Sequence, residues 1–209
     1  MAAPQGSFDR LFARMDESPD AFFYSLPRKV VHIDEGAIAA VGALYQELLP
    51  AGGAFLDLMS SWRSHLPAGF NPRLVVGLGL NGEEMADNHQ LDVAVVHDVN
   101  RNPNIPFQDD VFDGVMCAVS VQYLVKPVAV FQQVNRVLKP EAPFIVTFSN
   151  RCFPNKAIAA WLYSGDQEHV QLVHGYFQSS GGWSRVSDHA TRGTGDPLFA
   201  VWGFKQAFV

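Results

Sequence analysis

Cysteine is scarce in this chain: Cys117 and Cys152 are its only two in 209 residues. Their separation offers neither a CxxC pair nor a disulfide framework, so a stapled secreted scaffold is not expected and a reducing cytoplasm is the compartment that fits. The histidines lack HExxH or HxH spacing, and no bound metal is expected. Long apolar runs are missing as well. No stretch approaches the roughly 20 residues of a membrane span, and the opening MAAPQGSFDRLFARMDESPD is broken by charge before a signal-peptide core develops. The reading is a soluble protein with no membrane partner. Positive charge is in deficit: 15 Lys and Arg against 21 Asp and Glu give a net charge of −6. A basic stripe able to neutralise phosphates is therefore lacking, which argues against nucleic acid and leaves a small molecule as the expected partner.

What is present is apolar sequence in short packets. With 48% hydrophobic and 17% charged residues the chain is globular in composition. Its length suits a single domain over 1–209, with 1–50 as an N-terminal helical cover and 51–209 as an α/β core. Phe8, Leu11, Phe12 and Met15 recur at helical spacing, which predicts a short amphipathic helix covering the core. A stronger helix starts at Asp34, the candidate N-cap, with Ala37, Ile38, Val41, Leu44, Tyr45 and Leu48 on one face. Pro50 and Gly52-Gly53 end it.

Continuous apolar runs then follow at Phe55–Met59, Leu74–Leu78, Val93–His97, Phe112–Val119 and Phe144–Phe148. Such runs predict strands buried on both faces, as in a parallel sheet. Between the last two, Val130, Phe131, Val134, Val137 and Leu138 form a helical stripe opened by Pro127 and closed before Pro140. Further on, 157–162 and 170–177 read as helices, the second opened by Ser164 with Gln167 as a capping box. Finally 183–190 and 198–204 read as strands joined by RGTGDP, an antiparallel hairpin at the end of the sheet. Trp183, Trp202 and Phe204 there predict an exposed apolar edge suited to a homodimer.

The segment Ile105 to Pro140, IPFQDDVFDGVMCAVSVQYLVKPVAVFQQVNRVLKP, resembles the central half of class I S-adenosylmethionine-dependent methyltransferases, type 11-like. The resemblance covers about Gly52 to Lys205. It implies a Rossmann-like three-layer sandwich with a mostly parallel seven-stranded sheet, and S-adenosylmethionine as cofactor. The strand AFLDLM is similar to the family's first motif and makes Asp57 a residue that orders the cofactor loop. The glycines that should follow are replaced by Met59, Ser60 and Ser61, a degenerate form that gives up positive-φ freedom. At the end of the second strand the family's ribose-binding acid is replaced by Gly79. Beside Gly79 and Leu80, Asn81 is the first substitute acceptor, with Glu83 or Glu84 behind it. A neutral Asn–hydroxyl bond contributes about 0.5 to 1.5 kcal/mol net against roughly 1.5 to 3 for a charged acceptor.

The third strand ends in His97-Asp98-Val99, and by resemblance Asp98 receives the adenine amino group; the alternative is a carboxylate that caps a turn before Asn102-Pro103. Val119 opens the loop beside the transferable methyl group, and Tyr123 in that loop either positions a substrate or is a half-buried ring. Asp113 has a loop-ordering role by the same resemblance. Methyl transfer needs alignment more than a protein nucleophile, so the lack of a Ser-His-Asp signature does not oppose it. His32 and His65 are candidate bases. Arg28 and Arg151, with Asn150, are candidates for holding an anionic group of the acceptor. The sequence therefore predicts a methyltransferase acting on a small molecule. Its alternative is a non-catalytic binding or assembly protein on the same fold.

Overall fold

The computed structural model describes residues 10–207. The apolar packets become strands within a residue or two of expectation: β1 Ala54–Leu58, β2 Leu74–Gly79, β3 Val93–Val96, β4 Gly114–Ala118 and β5 Pro143–Phe148. The closing hairpin supplies β6 Trp183–Thr191 and β7 Leu198–Lys205. All seven form one sheet in the order β3-β2-β1-β4-β5-β7-β6. The pairs among β1 to β5 are parallel, whereas β7 runs antiparallel to both β5 and β6. This is the Rossmann-like arrangement with an antiparallel end. The chain runs outward from β1 to β3 and then returns to β4 on β1's other side. A crevice therefore opens between the carboxyl ends of β1 and β4.

The helices are α1 Asp20–Phe23, α2 Glu35–Leu48, α3 Gly82–Ala86, α4 Pro127–Val137, α5 Ala159–Leu162 and α6 Asp166–Ser180. α2 starts where Asp34 accepts the Ala37 N–H at 2.9 Å, satisfying one otherwise orphaned donor. Its buried stripe of Ala37, Val41, Leu44 and Tyr45 shares one apolar cluster with Phe55, Val75 and Ile145 of the sheet. α4 buries Val130, Phe131, Val134 and Val137 in a larger cluster with Phe144 of β5 and Val173, Tyr176 and Phe177 of α6. The two clusters give the sheet a core on each face. Among the described residues no helix is long and apolar enough to cross a membrane.

Four sequence expectations need correction. β3 is an edge strand with Val93 and Val96 exposed, because a run of valines cannot distinguish a central strand from one lacking a second neighbour. The N-terminal amphipathic helix does not extend through Met15. Phe8 lies outside the described residues, helix geometry ends at Leu11, and Arg14 instead bridges to Ile158. α6 is opened by Gly165, whose N–H donates to Glu168, while the Ser164 hydroxyl turns back to the Ala160 carbonyl. Trp183 is not on an exposed edge: it is buried against Phe144 and Phe177, because α6 packs over the start of β6.

The joint between α4, α6 and the sheet is Phe131, fully buried with ring contacts to Phe144, Tyr176 and Phe177 at 4.9, 5.6 and 5.0 Å. Phe131→Ala is expected to lower unfolding free energy by about 3–5 kcal/mol in urea titration, the usual range for an unfilled aromatic cavity. A loss below about 1 kcal/mol would show that the neighbours collapse into the space.

Candidate functional site

The loop after β1 is built around one buried carboxylate. Asp57 is 2% exposed, and its Oδ2 accepts the Ser60 hydroxyl at 2.6 Å and the Ser64 hydroxyl at 2.7 Å. Asn88 ties the same loop from outside, donating to the Ser61 carbonyl at 3.0 Å and to Ser64 Oγ at 2.9 Å. Burial raises the Asp57 carboxyl to about 6, with the two serine hydroxyls pulling the other way. No helix forms between β1 and β2. Serine hydroxyls therefore shape this turn where the resembled family carries glycines. Met59 nevertheless takes φ 58°, and His65 also takes φ 58°. Such left-handed residues cost about 1–3 kcal/mol each and persist only where neighbours fix them.

β2 ends without a side chain for a steric reason. A Cβ on Gly79 would stand 2.1 Å from the Ser60 carbonyl oxygen, so the serine loop and an acid at this position exclude each other. Asn81 cannot act as a free acceptor either. Its Oδ1 caps α3 by accepting the Glu83 and Glu84 N–H groups, and its Nδ2 donates to the Tyr24 carbonyl. Glu84 lies 5% exposed behind it and accepts the Arg28 N–H and the Ser61 hydroxyl, each at 2.5 Å.

At the end of β3, Asp98 caps a turn, as the alternative reading expected. Its Oδ1 caps the turn by accepting from Asn100 N at 2.9 Å and Arg101 N at 3.1 Å, yet the residue still lines the cleft. Beyond β4, Val119 has φ 49°, an outlier for a β-branched residue. It is held there from both sides: its N–H donates to the Thr147 carbonyl at 2.7 Å and its carbonyl accepts from Gln122 Nε2 at 2.9 Å. Tyr123 is buried, and its hydroxyl accepts the Phe153 N–H at 2.8 Å. Burial raises that phenol to about 12. Asp113 has its loop-ordering contacts, accepting from Ala54 N and Lys139 Nζ well away from the crevice.

Residues 14–33 pass over these strand ends as a strap. Asp20, 4% exposed, pairs with Arg14 at 2.7 Å and Lys156 at 3.3 Å and accepts from Asn100 Nδ2 at 2.9 Å. Lys156 is wholly buried and also holds Asp16 at 3.0 Å. Further along, the strap is attached through Tyr24 to Asn81, through Arg28 to Glu84, and through Val30, whose carbonyl accepts the Trp62 indole N–H. The Arg28 guanidinium sits 4.1 Å from the centre of the Phe23 ring and donates to the Phe23 carbonyl.

Beneath the strap lies a cleft of about 840 Å³, counting the part open to solvent. Met59, Ser60, Gly79, Leu80, Asn81, Asp98, Val99 and Val119 all line it, together with Arg28, His32 and Tyr123. A smaller neighbour, about 460 Å³ with its open part counted, is lined by Asp57, Trp62, Arg63, His65, Val30 and Val31. The two share Met59, Ser60, Ser61, Ala118, Val119 and His32 as a common wall. Burial lowers both imidazoles, His65 to about 4 with Arg63 and His32 adding to the effect. Asn150 and Arg151 line neither space. Arg151 is exposed and pairs with Asp196 at 2.9 Å, because the β6–β7 turn occupies that end of β5. Sequence reading missed Arg14, Asp20, Tyr24, Phe153 and Lys156, all of which line the cleft. Their only signal was charge and aromatic residues in Pro- and Ser-bearing segments, which otherwise read as surface.

A methyltransferase-domain family model matches residues 70–146, beginning just past the serine loop. No functionally curated protein is similar enough in sequence to match. The fold is shared with the protein solved in complex with the Haloferax volcanii Trm112 methyltransferase activator, at 17% identity over 85% of this chain and 90% of that one, TM-score 0.60. An S-adenosylmethionine-dependent methyltransferase from Aquifex aeolicus is similar at 18% identity, 89% and 97% coverage and TM-score 0.58. So is a Haemonchus contortus phosphoethanolamine N-methyltransferase, solved with phosphomonomethylethanolamine and S-adenosylhomocysteine, at 12% identity, 90% and 57% coverage and TM-score 0.59.

The Asp57 lock has a pH signature. A carboxyl raised from about 3.8 in the unfolded chain to about 6 in the folded one binds more protons when folded, so its contribution is fully present below pH 4 and is lost as pH rises through 6. Relative to Asp57→Asn, the native protein is expected to lose about 2 kcal/mol of stability between pH 4 and pH 7, read from urea midpoints at each pH. Parallel profiles for the two proteins would show that Asp57 is ionised throughout.

Proposed function

We propose that this chain is a class I S-adenosylmethionine-dependent methyltransferase that methylates a small molecule held in the smaller pocket beside the cofactor cleft. The observation that carries this reading is the common wall. A donor in the larger space and an acceptor in the smaller one would meet over Met59, Ser60 and Val119, the segment where two strained residues are fixed in place. The strap, the strand ends and Asp98 fit a nucleoside, since Asp98 lines the cleft and its Oδ2 has no hydrogen-bond partner among the described residues.

When bound, S-adenosylmethionine supplies a methyl group activated by sulfonium, whose C–S bond breaks with the electron pair going to sulfur. The protein's own contribution is alignment and exclusion of water. Orientation of this kind can supply about 7–11 kcal/mol of a bimolecular barrier. Val119 and Met59 set the floor, while Tyr123, fixed through Phe153, closes the β4 side. His32 lines both spaces and is neutral near pH 7 because burial lowers it, so its ring can take the proton that an acceptor O–H or N–H loses as the new bond to carbon forms. His65, lowered to about 4, is the weaker base and is suited to orienting the acceptor by hydrogen bonding. The small-molecule class follows from the size of the pocket and from the acidic net charge.

A binding or assembly role without catalysis draws on the side chains at Met59, Ser60 and Ser61. It is disfavoured because the Ser60 and Ser61 hydroxyls turn onto Asp57 and Glu84. Isothermal titration with S-adenosylmethionine and S-adenosylhomocysteine tests the reading. Binding of both, together with S-adenosylhomocysteine release on a panel of small hydroxyl and amine acceptors, is the expected result; no heat from either at millimolar concentration would count against it. With an acceptor in hand, His32→Gln is expected to lower kcat/KM by about 10²–10⁴-fold while leaving S-adenosylhomocysteine affinity within about threefold. Unchanged turnover would remove the base assignment.

A further inference from the structure

With its imidazoles neutral, the smaller pocket carries two charged side chains, Asp57 and Arg63, and they differ in what they already hold. Asp57 is buried and takes two serine hydroxyls. Arg63 is exposed, and among the described residues no acid pairs with it. Its guanidinium lies 4.3 Å from the centre of the Trp62 ring, and the Trp62 indole N–H in turn donates to the Val30 carbonyl of the strap. A guanidinium stacked on a fixed ring keeps its N–H edge free for a planar oxyanion. His65 lies close enough to feel the charges of both Arg63 and His32, so the three side chains run from the exposed side of the pocket to the wall it shares with the larger cleft. Neither imidazole has a hydrogen-bond partner among the described residues, where the bonded histidine rings are His97, His169, His174 and His189. The rest of the lining is largely apolar, from Val30, Val31, Ala118 and Val119.

We infer that the methyl acceptor is a small carboxylic acid with an apolar body, its carboxylate held by Arg63 and its reacting O–H or N–H directed inward to His32. The inference rests on the methyltransferase reading above and names the substrate class of that pocket. A guanidinium meets a carboxylate with two parallel N–H bonds, whereas an ammonium group there would face a like charge. The carboxylate anchors the acceptor and takes no part in the reaction. The bond from heteroatom to carbon forms as the carbon–sulfur bond breaks with its electron pair going to sulfur, and the proton passes to His32.

The test is calorimetry on protein saturated with S-adenosylhomocysteine, with para-hydroxybenzoate and para-hydroxyphenylacetate set against their amides and against tyramine. Native protein is expected to prefer acid over amide by about 5–20-fold at low salt, less than a buried charge-assisted bond would give because Arg63 is exposed, and to bind tyramine more weakly than either. Added salt should narrow the preference. Arg63→Gln should cut it to about twofold or less by weakening the acids, and Arg63→Lys, which keeps the charge without the planar fork, should restore part of it. Arg63 is exposed, so both variants are expected to fold. Amides or tyramine bound as tightly as the acids, a preference that survives Arg63→Gln, or no binding of any of these ligands to the saturated protein would overturn the acid assignment and leave the methyltransferase reading standing. Failure of S-adenosylhomocysteine itself to bind would overturn both.

Discussion

Two serine hydroxyls converge on one oxygen of Asp57 at 2.6 and 2.7 Å, inside a loop that has no helix to follow it and no glycine to relax it. Short O–H···O bonds to a carboxylate are about twice as strong as neutral ones. They offset the burial that lifts the carboxyl to about 6, and they fix the path of the chain from Met59 to His65. Much else follows from that path. The Ser60 carbonyl leans on β2, which forces glycine at position 79. Ser61 is aimed at Glu84, and Met59 is held at positive φ in the wall between the two spaces. Side chains have replaced glycine here, yet the hydroxyls point down into the protein and the cleft stays open above them.

The strap is the second constraint, and it depends on the first. Arg28 and Trp62 attach residues 28–30 to Glu84 and to the serine loop, while Asp20, Arg14 and Lys156 anchor the far end in a buried charge network. Removing one member of such a network leaves an uncompensated buried charge, which makes the anchored end more costly to open than the Arg28–Trp62 end. The nearest outward residues of the strap, Phe22 and Leu26, are apolar and each 72% exposed. The strap covers the cleft and supplies its roof from Tyr24, Arg28 and His32.

Legibility followed the length scale of the interactions. The strands and α4 were readable because apolar runs and Pro127 report local periodicity, and Asp34 was readable because a cap is a three-residue event. The edge position of β3, the burial of Trp183 and the end of the first helical turn were not, since each depends on which distant element arrives to cover it. In the site, the cleft-lining positions from Met59 to Val119 were legible because they sit at strand ends. Arg14, Asp20, Tyr24 and Lys156 were missed because contacts distant in sequence bury them, as in Asp20 with Asn100 and Ser18 with Lys156. Asn81 was favoured over Glu84 for its place next to the strand; the structure shows that proximity in sequence spends Asn81 on the helix cap.

The central claim is that a serine–carboxylate lock does the work of a glycine turn without filling the cleft. A crystal structure of the complex with S-adenosylhomocysteine tests it most directly. The account predicts the nucleoside between the ends of β1, β2 and β3 with Ser60 and Ser64 still bonded to Asp57. A ligand bound elsewhere, or a loop that must abandon Asp57 to admit it, would contradict the account.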